Sequence, residues 1–422
     1  MTESLKVRVR EPRREGQEVV TRISEDSLPR EHPARLLWEV FGLLDLGAFT
    51  AGAKARQGTA GGSLKSRRML LTLWAYAFVR GIVHAREIER RLVDNDLGFR
   101  WIAGDMHVSH TLLSEFLTEH LEAMETLFTD VLGVLQGHGL LFLPGHHTAQ
   151  DGTRVRANAG IASFRTRTGL ERAREQAELH LKAVLARMDE PALREAEQQA
   201  RERGAMDVLD RIGEAIQAVN ELQEKRSNSS NKKRQTTAPK ASATDPEARL
   251  MKVSNGGFEP SYNVQLAVEG SPMGGPATIV GVQVTTLGSD KHSLLPMHEQ
   301  VEQRTGHKLD AILVDGEHLT HDELLAALAT PLLVIAPVPE RWEMSEAPQD
   351  PAIAGWMAEM KTEPRKTAYR ARKALVERVN AILKERYALR QVPVRGVRKV
   401  LCVFLLAAVV ANLTQHGLSL LT

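Results

Sequence analysis

Two aspartates stand where an apolar, strand-like run turns polar, a placement suited to metal-assisted chemistry. Asp151 follows the first run in FLPGHHTAQDGTRVRANAG (142–160), and Asp315 follows the second in ILVDGEH. Open α/β sheets place their ligands at the carboxyl ends of strands. If the two strands are adjacent, the carboxylates converge, and hard oxygen ligands of this kind select Mg²⁺ or Mn²⁺. A simpler interpretation of the first stretch is a hairpin turn at Asp151-Gly152.

A third carboxylate lies among cations near the carboxyl terminus. Between residues 365 and 399 there are twelve Lys or Arg residues and only two acids, Glu377 and Glu385. In the functional interpretation Glu377 is a third metal ligand and the neighbouring cations hold phosphates. In the alternative, Glu377 merely pairs with a lysine on a solvated helix. Four of these residues are three, four and seven apart and therefore share one helical face: Arg370, Lys373, Glu377 and Lys384.

The rest of the chain predicts the elements that would position these acids. From Pro33 to about Leu140, apolar residues recur at three- and four-residue spacing, which predicts a helical region. Residues 169–226 repeat apolar positions among dense charges and are broken at Pro191, which predicts two long helices packed as a hairpin. After residue 250, strand-like and helical runs alternate, which indicates an α/β layer with a partly parallel sheet.

Composition excludes several classes of protein. The 422 residues are 42% hydrophobic and 26% charged, as in globular proteins, with a formal net charge of +2. The single cysteine, Cys402, rules out an intramolecular disulfide and a cysteine-based zinc cluster. Its apolar run, residues 400–411, is shorter than the roughly 20 residues of a membrane span and predicts a buried helix. With a charged start and no apolar signal region, we expect a cytoplasmic protein with no membrane partner.

Several longer motifs resemble the DDE transposases of bacterial insertion sequences. The matching stretches are QDGTRVRANAG, DPEARLMKVSNGGFEPSYNVQLAV, ILVDGEH, RKALVERVNAILKERYALRQVPVRGVRKV and the ANL at 411–413. The helical stretches MLLTLWAYAFVRGIVHAREIERRL and HTLLSEF also resemble the amino-terminal part of that group. The resemblance extends over most of the chain from about residue 33.

The resemblance implies an α/β ribonuclease H-like catalytic core, a mixed sheet with flanking helices, joined to an all-helical amino-terminal domain and an inserted helical hairpin. It implies metal-dependent DNA cleavage and strand transfer with Mg²⁺ or Mn²⁺ as cofactor. The implied domains are a flexible basic arm at 1–30, a helical DNA-binding domain at 31–140, core segments at 141–168 and 246–422, and the hairpin with its linker at 169–245.

The same resemblance assigns residue roles and partners. The implied metal ligands and catalytic residues are Asp151, Asp315 and Glu377. The resemblance implies that Tyr369, Arg372 and Lys384 position phosphates near the glutamate. Arg370 and Lys373, from the cationic helical face, complete the predicted DNA-binding residues. The implied partner is double-stranded DNA, both terminal inverted repeats and target, bound by a homodimer in the bacterial cytoplasm at the nucleoid.

One departure from the family pattern concerns the third acid. Glu377 and Lys384 fit its Glu-x6-Lys spacing, but Tyr-x2-Arg-x3-Glu counted from Tyr369 and Arg372 ends at Val376. Two alternatives to an active enzyme are a DNA-binding remnant without catalysis and a structural coiled-coil scaffold. Trp342 is expected either to stack on an extruded base or to pack in the interior. HAREIERRL and HVSHTLLSEFLTEH fit equally a helix-turn-helix and a plain bundle.

Overall fold

The structure is a computed structural model that describes most of the chain. Residues 1–24, which make up most of the predicted arm, and the basic cluster Lys232–Arg234 lie outside the described residues, as does Pro191. The end of that arm is ordered, because Glu25–Ser27 form a 3-10 turn and Leu28 is buried. The described residues are 25–51, 63–104, 106–186, 195–228, 235–253, 256–343 and 350–420.

The first third of the chain is helical, as predicted. The continuous apolar pattern of residues 110–135 predicts one helix, but His120 divides it into two. A short helix after Asp96, whose side chain accepts from Gly98 N, was not predicted. The apolar stretch of the second helix in this region is buried over nearly its whole length. The helices are α1 (Pro33–Leu43), α2 (Arg67–Val79), α3 (Ala85–Val93), α4 (Leu97–Ala103), α5 (His110–Glu119) and α6 (Leu121–Gly137), with a 3-10 turn at Gly47–Thr50.

Two long helices form the predicted hairpin. They are α7 (Arg167–Ala186) and α8 (Glu195–Ser227), which pack against each other. Their apolar contacts form two small clusters separate from the main core, one around Leu170 and Val219 and one around Ala173 and Ile212. The rest of both surfaces is charged, with i,i+4 ion pairs such as Arg174–Glu178. The prediction of an inserted hairpin is therefore confirmed in its helices.

The sheet is mixed, and β1 lies in its interior. Five strands follow the order β4-β5-β1-β7-β8, and β6 also pairs with β5. The β1–β5, β4–β5 and β5–β6 pairs are antiparallel, whereas β1–β7 and β7–β8 are parallel. The strands are β1 (His147–Arg156), β4 (Arg249–Lys252), β5 (Phe258–Gly270), β6 (Ala277–Thr285), β7 (Ala311–Leu313) and β8 (Leu333–Ile335), with a separate pair β2 (Phe164–Arg165) and β3 (Ala241–Ser242).

Helices cover both faces of this sheet. On one face α9 packs so closely that a Cβ on Gly281 would overlap Met297, and on the other a Cβ on Gly270 would meet Leu375 of α13. These contacts give the α/β arrangement of a mixed sheet with flanking helices that the alternating pattern predicts. The helices are α9 (Leu294–Thr305), α10 (His321–Leu328), α11 (Glu340–Glu343), α12 (Pro351–Met360), α13 (Glu363–Ala381) and α14 (Val397–Leu420), with a 3-10 turn at Gly316–His318 and a π-helical segment at Ile382–Arg386.

The apolar run at 400–411 lies in α14, which is buried as predicted. The segment Val397–Gly417 is long and apolar enough to cross a membrane, but it packs inside the protein against β6, α5 and α6, as the core helix of a globular protein does. Through it the helices of the first third and the sheet share one continuous apolar core.

Side-chain amides of α14 complete the hydrogen bonding of β6. Asn412 accepts from Ile279 N and donates to Ile279 O, both at 2.8 Å. Gln415 makes the same two contacts with Ala277, both at 2.9 Å. These amides take the place of a neighbouring strand at Ala277 and Ile279, so the backbone groups of these two residues are satisfied without pairing to another chain.

We expect Asn412→Leu to destabilise the fold by about 2–4 kcal/mol, because it leaves the buried N–H and C=O of Ile279 without partners. Urea unfolding of the full chain measures the change. Lys399→Ala, an exposed change on the same helix, serves as the control and is expected to stay within about 0.5 kcal/mol. Equal stability of the two variants would contradict the role given to this amide.

Candidate active site

Asp151 lies in the middle of β1, opposite Leu266 of β5. The interpretation as a hairpin turn is therefore wrong, and so is the expectation that the strand ends there, since β1 continues to Arg156. The neighbouring parallel strand is the one that ends at this level, because β7 stops at Leu313. Beyond that point β1 has no β7 partner, and the Asp151 side chain keeps 24% of its surface exposed.

Asp315 reaches the same level from the adjacent strand. Ala149 of β1 pairs with Leu313 of β7 in the parallel register. Asp151 lies two residues after Ala149, and Asp315 lies two residues after Leu313. Adjacent strands are about 4.8 Å apart, so this register brings the two carboxylates together. Asp315 also begins the 3-10 turn, where its Oδ1 accepts from Glu317 N at 3.2 Å. The adjacency of the two strands, which the sequence pattern left only as a condition, is present in the structure.

Burial raises the pKa of Asp151, and the negative charges of Asp290 and Asp315 act in the same direction. The guanidinium of Arg372 opposes them; its Nη2 donates to Asp151 Oδ1 at 2.7 Å, and its side chain is 14% exposed. A partly buried carboxylate beside other carboxylates needs a positive charge, which Arg372 supplies here. Tyr369, one turn earlier on α13, lies within electrostatic reach of Arg372 and of both aspartates.

Glu377 lies away from the two aspartates. Its side chain is 64% exposed, and its partner is Lys373 of the same helix, at 4.0 Å. Val376, at the position where the family spacing would place the acid, is buried in the core. Among the residues that the structure describes, no three His, Cys, Asp or Glu side chains are arranged to hold a metal ion. The two aspartates are therefore together, and the third predicted ligand is not with them.

The predicted DNA-binding residues divide between two surfaces. Arg370 and Lys373 are exposed beside Glu377, whereas Arg372 and Lys384 are half-buried. Burial lowers the pKa of Lys384, and the charge of Asp151 acts on it in the opposite direction. Residues seven apart share a face of a regular helix, but Lys384 lies inside the wider π-helical segment Ile382–Arg386, whereas Glu377 lies in the regular helix before it. This change of helix type places Lys384 toward Asp151 while Glu377 faces solvent.

The sequence did not single out Asp290, which is the centre of a polar network beside the aspartates. Its carboxylate accepts from Gln265 Nε2 at 2.5 Å, Asn263 Nδ2 at 2.8 Å and Arg154 Nη1 at 2.9 Å. Although burial acts to raise the pKa of Asp290, the hydrogen bonds from Arg154 and Asn263 outweigh it and lower the pKa. A signal was present in NVQLAV, where polar Asn263 and Gln265 alternate with apolar residues on a buried strand.

Gly152 permits this network to lie against β1. A Cβ at this position would overlap Asp290 Oδ1 and Gln265 Nε2. Gly152 and Asp151 point to opposite faces of the strand, as neighbours in a strand must. The network around Asp290 therefore fixes β1 from one face of the sheet, while Arg372 contacts Asp151 from the other.

The chemistry of these donors suits a hard divalent cation. Asp151 and Asp315 offer oxygen ligands of the kind Mg²⁺ and Mn²⁺ prefer. The desolvated Asp151 would gain from a second positive charge, since burial disfavours its ionised form. Two carboxylates leave the remaining positions to water, to substrate oxygens or to a third side chain.

Comparison with known proteins gives a match for the segment that contains the cationic helix α13. Residues 345–416 match a family model described as a transposase DDE domain. The match includes α13, the π-helical segment and most of α14, with Tyr369, Glu377 and Lys384. It confirms the resemblance to DDE transposases, through this carboxyl-terminal segment. In the comparisons with curated proteins and with solved structures, nothing matches this chain.

Gly152→Ala tests the close packing at the site. We expect it to destabilise the fold by about 1–3 kcal/mol, because the added Cβ displaces the Asp290 carboxylate from its donors. Gly133→Ala, in α6 with open space around it, is the matched control and should stabilise by about 0.5–1 kcal/mol. Thermal unfolding of both variants gives the comparison, and a stable Gly152→Ala protein would show that the network tolerates displacement.

Proposed function

We propose that the protein is a transposase that cleaves DNA and transfers strands with the help of a divalent metal. The observation that carries the proposal is the position of Asp151, on β1, and Asp315, two residues beyond the end of the adjacent parallel strand β7, beside the cationic helix α13. This helix lies in the segment that matches a transposase DDE domain. In this proposal the mixed sheet is a ribonuclease H-like core, α1–α6 form a DNA-binding region, and a dimer holds two terminal inverted repeats.

The chain's own residues would perform distinct tasks. Asp151 and Asp315 would hold Mg²⁺ or Mn²⁺, which when bound activates the attacking oxygen and stabilises the leaving oxygen of the phosphodiester. Arg372 and Lys384, half-buried beside Asp151, would orient the phosphate of the strand to be cut. Arg370 and Lys373 on the exposed face would bind the backbone further along the strand.

Glu377 would complete the triad only after moving. Its exposed side chain and its pairing with Lys373 mean that α13 must turn, or the side chain must reorient, when DNA binds. Closure of this kind on substrate is a common way to complete a catalytic site. The position of Glu377 also favours a second candidate, a DNA-binding transposase remnant that keeps the cationic helix but does not cleave.

A strand-transfer assay distinguishes these two candidates. With DNA carrying the repeats that flank the coding region, in Mg²⁺ or Mn²⁺, we expect Asp315→Asn and Glu377→Gln each to lose more than about a hundredfold of the activity. Glu363→Gln, which changes an exposed acid in the first turn of the same helix, should retain activity. Cleavage by Glu377→Gln at the wild-type rate would remove Glu377 from the site, and DNA binding by the native chain without cleavage would support the remnant.

The cationic face of α13 predicts a salt-dependent affinity for DNA. Arg370→Ala and Lys373→Ala should each weaken binding and reduce the slope of log K against log [salt] by about 1, because each removes one phosphate contact. Fluorescence anisotropy at several salt concentrations measures the slope. Lys308→Ala, which removes an exposed cation after α9, is the control, and an unchanged slope in all three variants would place the DNA elsewhere.

A further inference from the structure

His318 is buried without a hydrogen-bond partner. The residue is only 2% exposed, and neither ring nitrogen, Nδ1 or Nε2, has a hydrogen-bond partner among the described residues. Buried polar groups are nearly always paired, and an unpaired one points to a water, an ion or a ligand. An imidazole with both nitrogens unpaired therefore indicates a partner that the chain itself does not supply.

The surroundings of His318 connect it to the aspartates. It ends the 3-10 turn that Asp315 begins, three residues later in the chain. The charged groups within electrostatic reach are Asp290, Arg372, Asp315 and Arg154. Burial lowers the pKa of His318, so the ring is neutral at neutral pH and offers one N–H donor and one acceptor.

The Asp315 carboxylate has room for a further hydrogen bond. One of its oxygens accepts the hydrogen bond of the turn, from Glu317 N. A carboxylate that holds a metal is itself usually oriented by a further hydrogen bond, and loss of that bond weakens metal binding about 10- to 100-fold. A buried water can link such groups when two or more polar partners surround it.

We propose that His318 is a positioning residue for Asp315: its ring N–H orients the Asp315 carboxylate, through a bound water, for binding a divalent cation. The inference rests on the proposed function and goes beyond it, since the DDE triad contains no histidine. A second histidine three residues further on, His321, is exposed and packs against Trp342, so the two histidines have different surroundings.

The test measures Mn²⁺ binding to the full chain by calorimetry, independently of DNA cleavage. His318→Leu removes both ring nitrogens and is expected to keep the melting temperature while weakening Mn²⁺ binding about 10- to 100-fold. His318→Gln keeps an N–H donor and should recover most of the affinity. His321→Leu is the matched control and should bind Mn²⁺ as the native chain does; His318→Met replaces the Leu variant if that variant melts early.

Three results would overturn the inference. His318→Leu or His318→Met could bind Mn²⁺ as tightly as the native chain, which would leave His318 as an ordinary core residue. His318→Gln could bind as weakly as the Leu variant. Electron paramagnetic resonance of bound Mn²⁺ could show a directly coordinated histidine nitrogen that disappears in His318→Leu, which would make His318 a ligand. If the native chain binds no Mn²⁺ at all, the proposed function fails first, so the two failures are distinguishable.

Discussion

A single desolvated carboxylate, Asp151 on the interior strand β1, sets the constraint on the rest of the site. A carboxylate in this position is costly unless a positive charge lies beside it. The chain supplies that charge from α13, on one face of the sheet, as the guanidinium of Arg372. It fixes the strand from the other face with the Asp290 network, for which residue 152 must be glycine. The geometry around Asp151 thus depends on both faces of the sheet, with Arg372 from α13 at one and Asp290, from the loop before α9, at the other.

The rotation of α13 about its own axis decides which of its residues reach the Asp151 carboxylate. Ala371, Leu375, Val376 and Val379 are buried, which turns Tyr369 and Arg372 toward the aspartates and leaves Glu377 in solvent. Rotating Glu377 inward without a change elsewhere would bring charged neighbours into the apolar contacts of the helix. The π-helical turn that follows is a place where such a change costs less, because its hydrogen bonding is already irregular and π segments often lie at functional sites.

The sequence predicted the elements better than the side-chain contacts. Apolar periodicity gave the helical first third, the inserted hairpin, the α/β alternation and the buried helix at 400–411, because burial is the property that periodicity reports. The sequence made the convergence of Asp151 and Asp315 conditional on adjacent strands, and only the fold shows that β1 and β7 are neighbours. The length of β1 was not predicted, since polar residues continue a strand when a neighbouring strand pairs with it. Asp290 was missed because its partners Arg154 and Asn263 are distant in the chain and only the fold brings them together.

The parts of the site differ in how firmly they are held. Asp151 lies on β1, which pairs with a strand on each side, and Asp315 lies two residues beyond the end of β7, which also pairs on each side. On the edge strand β6, the amides of Asn412 and Gln415 from α14 bond the backbone of Ile279 and Ala277. Glu377 lies on an exposed helical surface with one weak ion pair, at 4.0 Å. An ion pair of this kind contributes about 0.3–0.5 kcal/mol to stability. The free energy gained when a carboxylate binds a metal ion is larger, so the pair with Lys373 would not hold Glu377 in place. If Asp151 and Asp315 hold a metal as proposed, the sheet positions these two carboxylates in advance, and Glu377 is the group that must move when substrate binds.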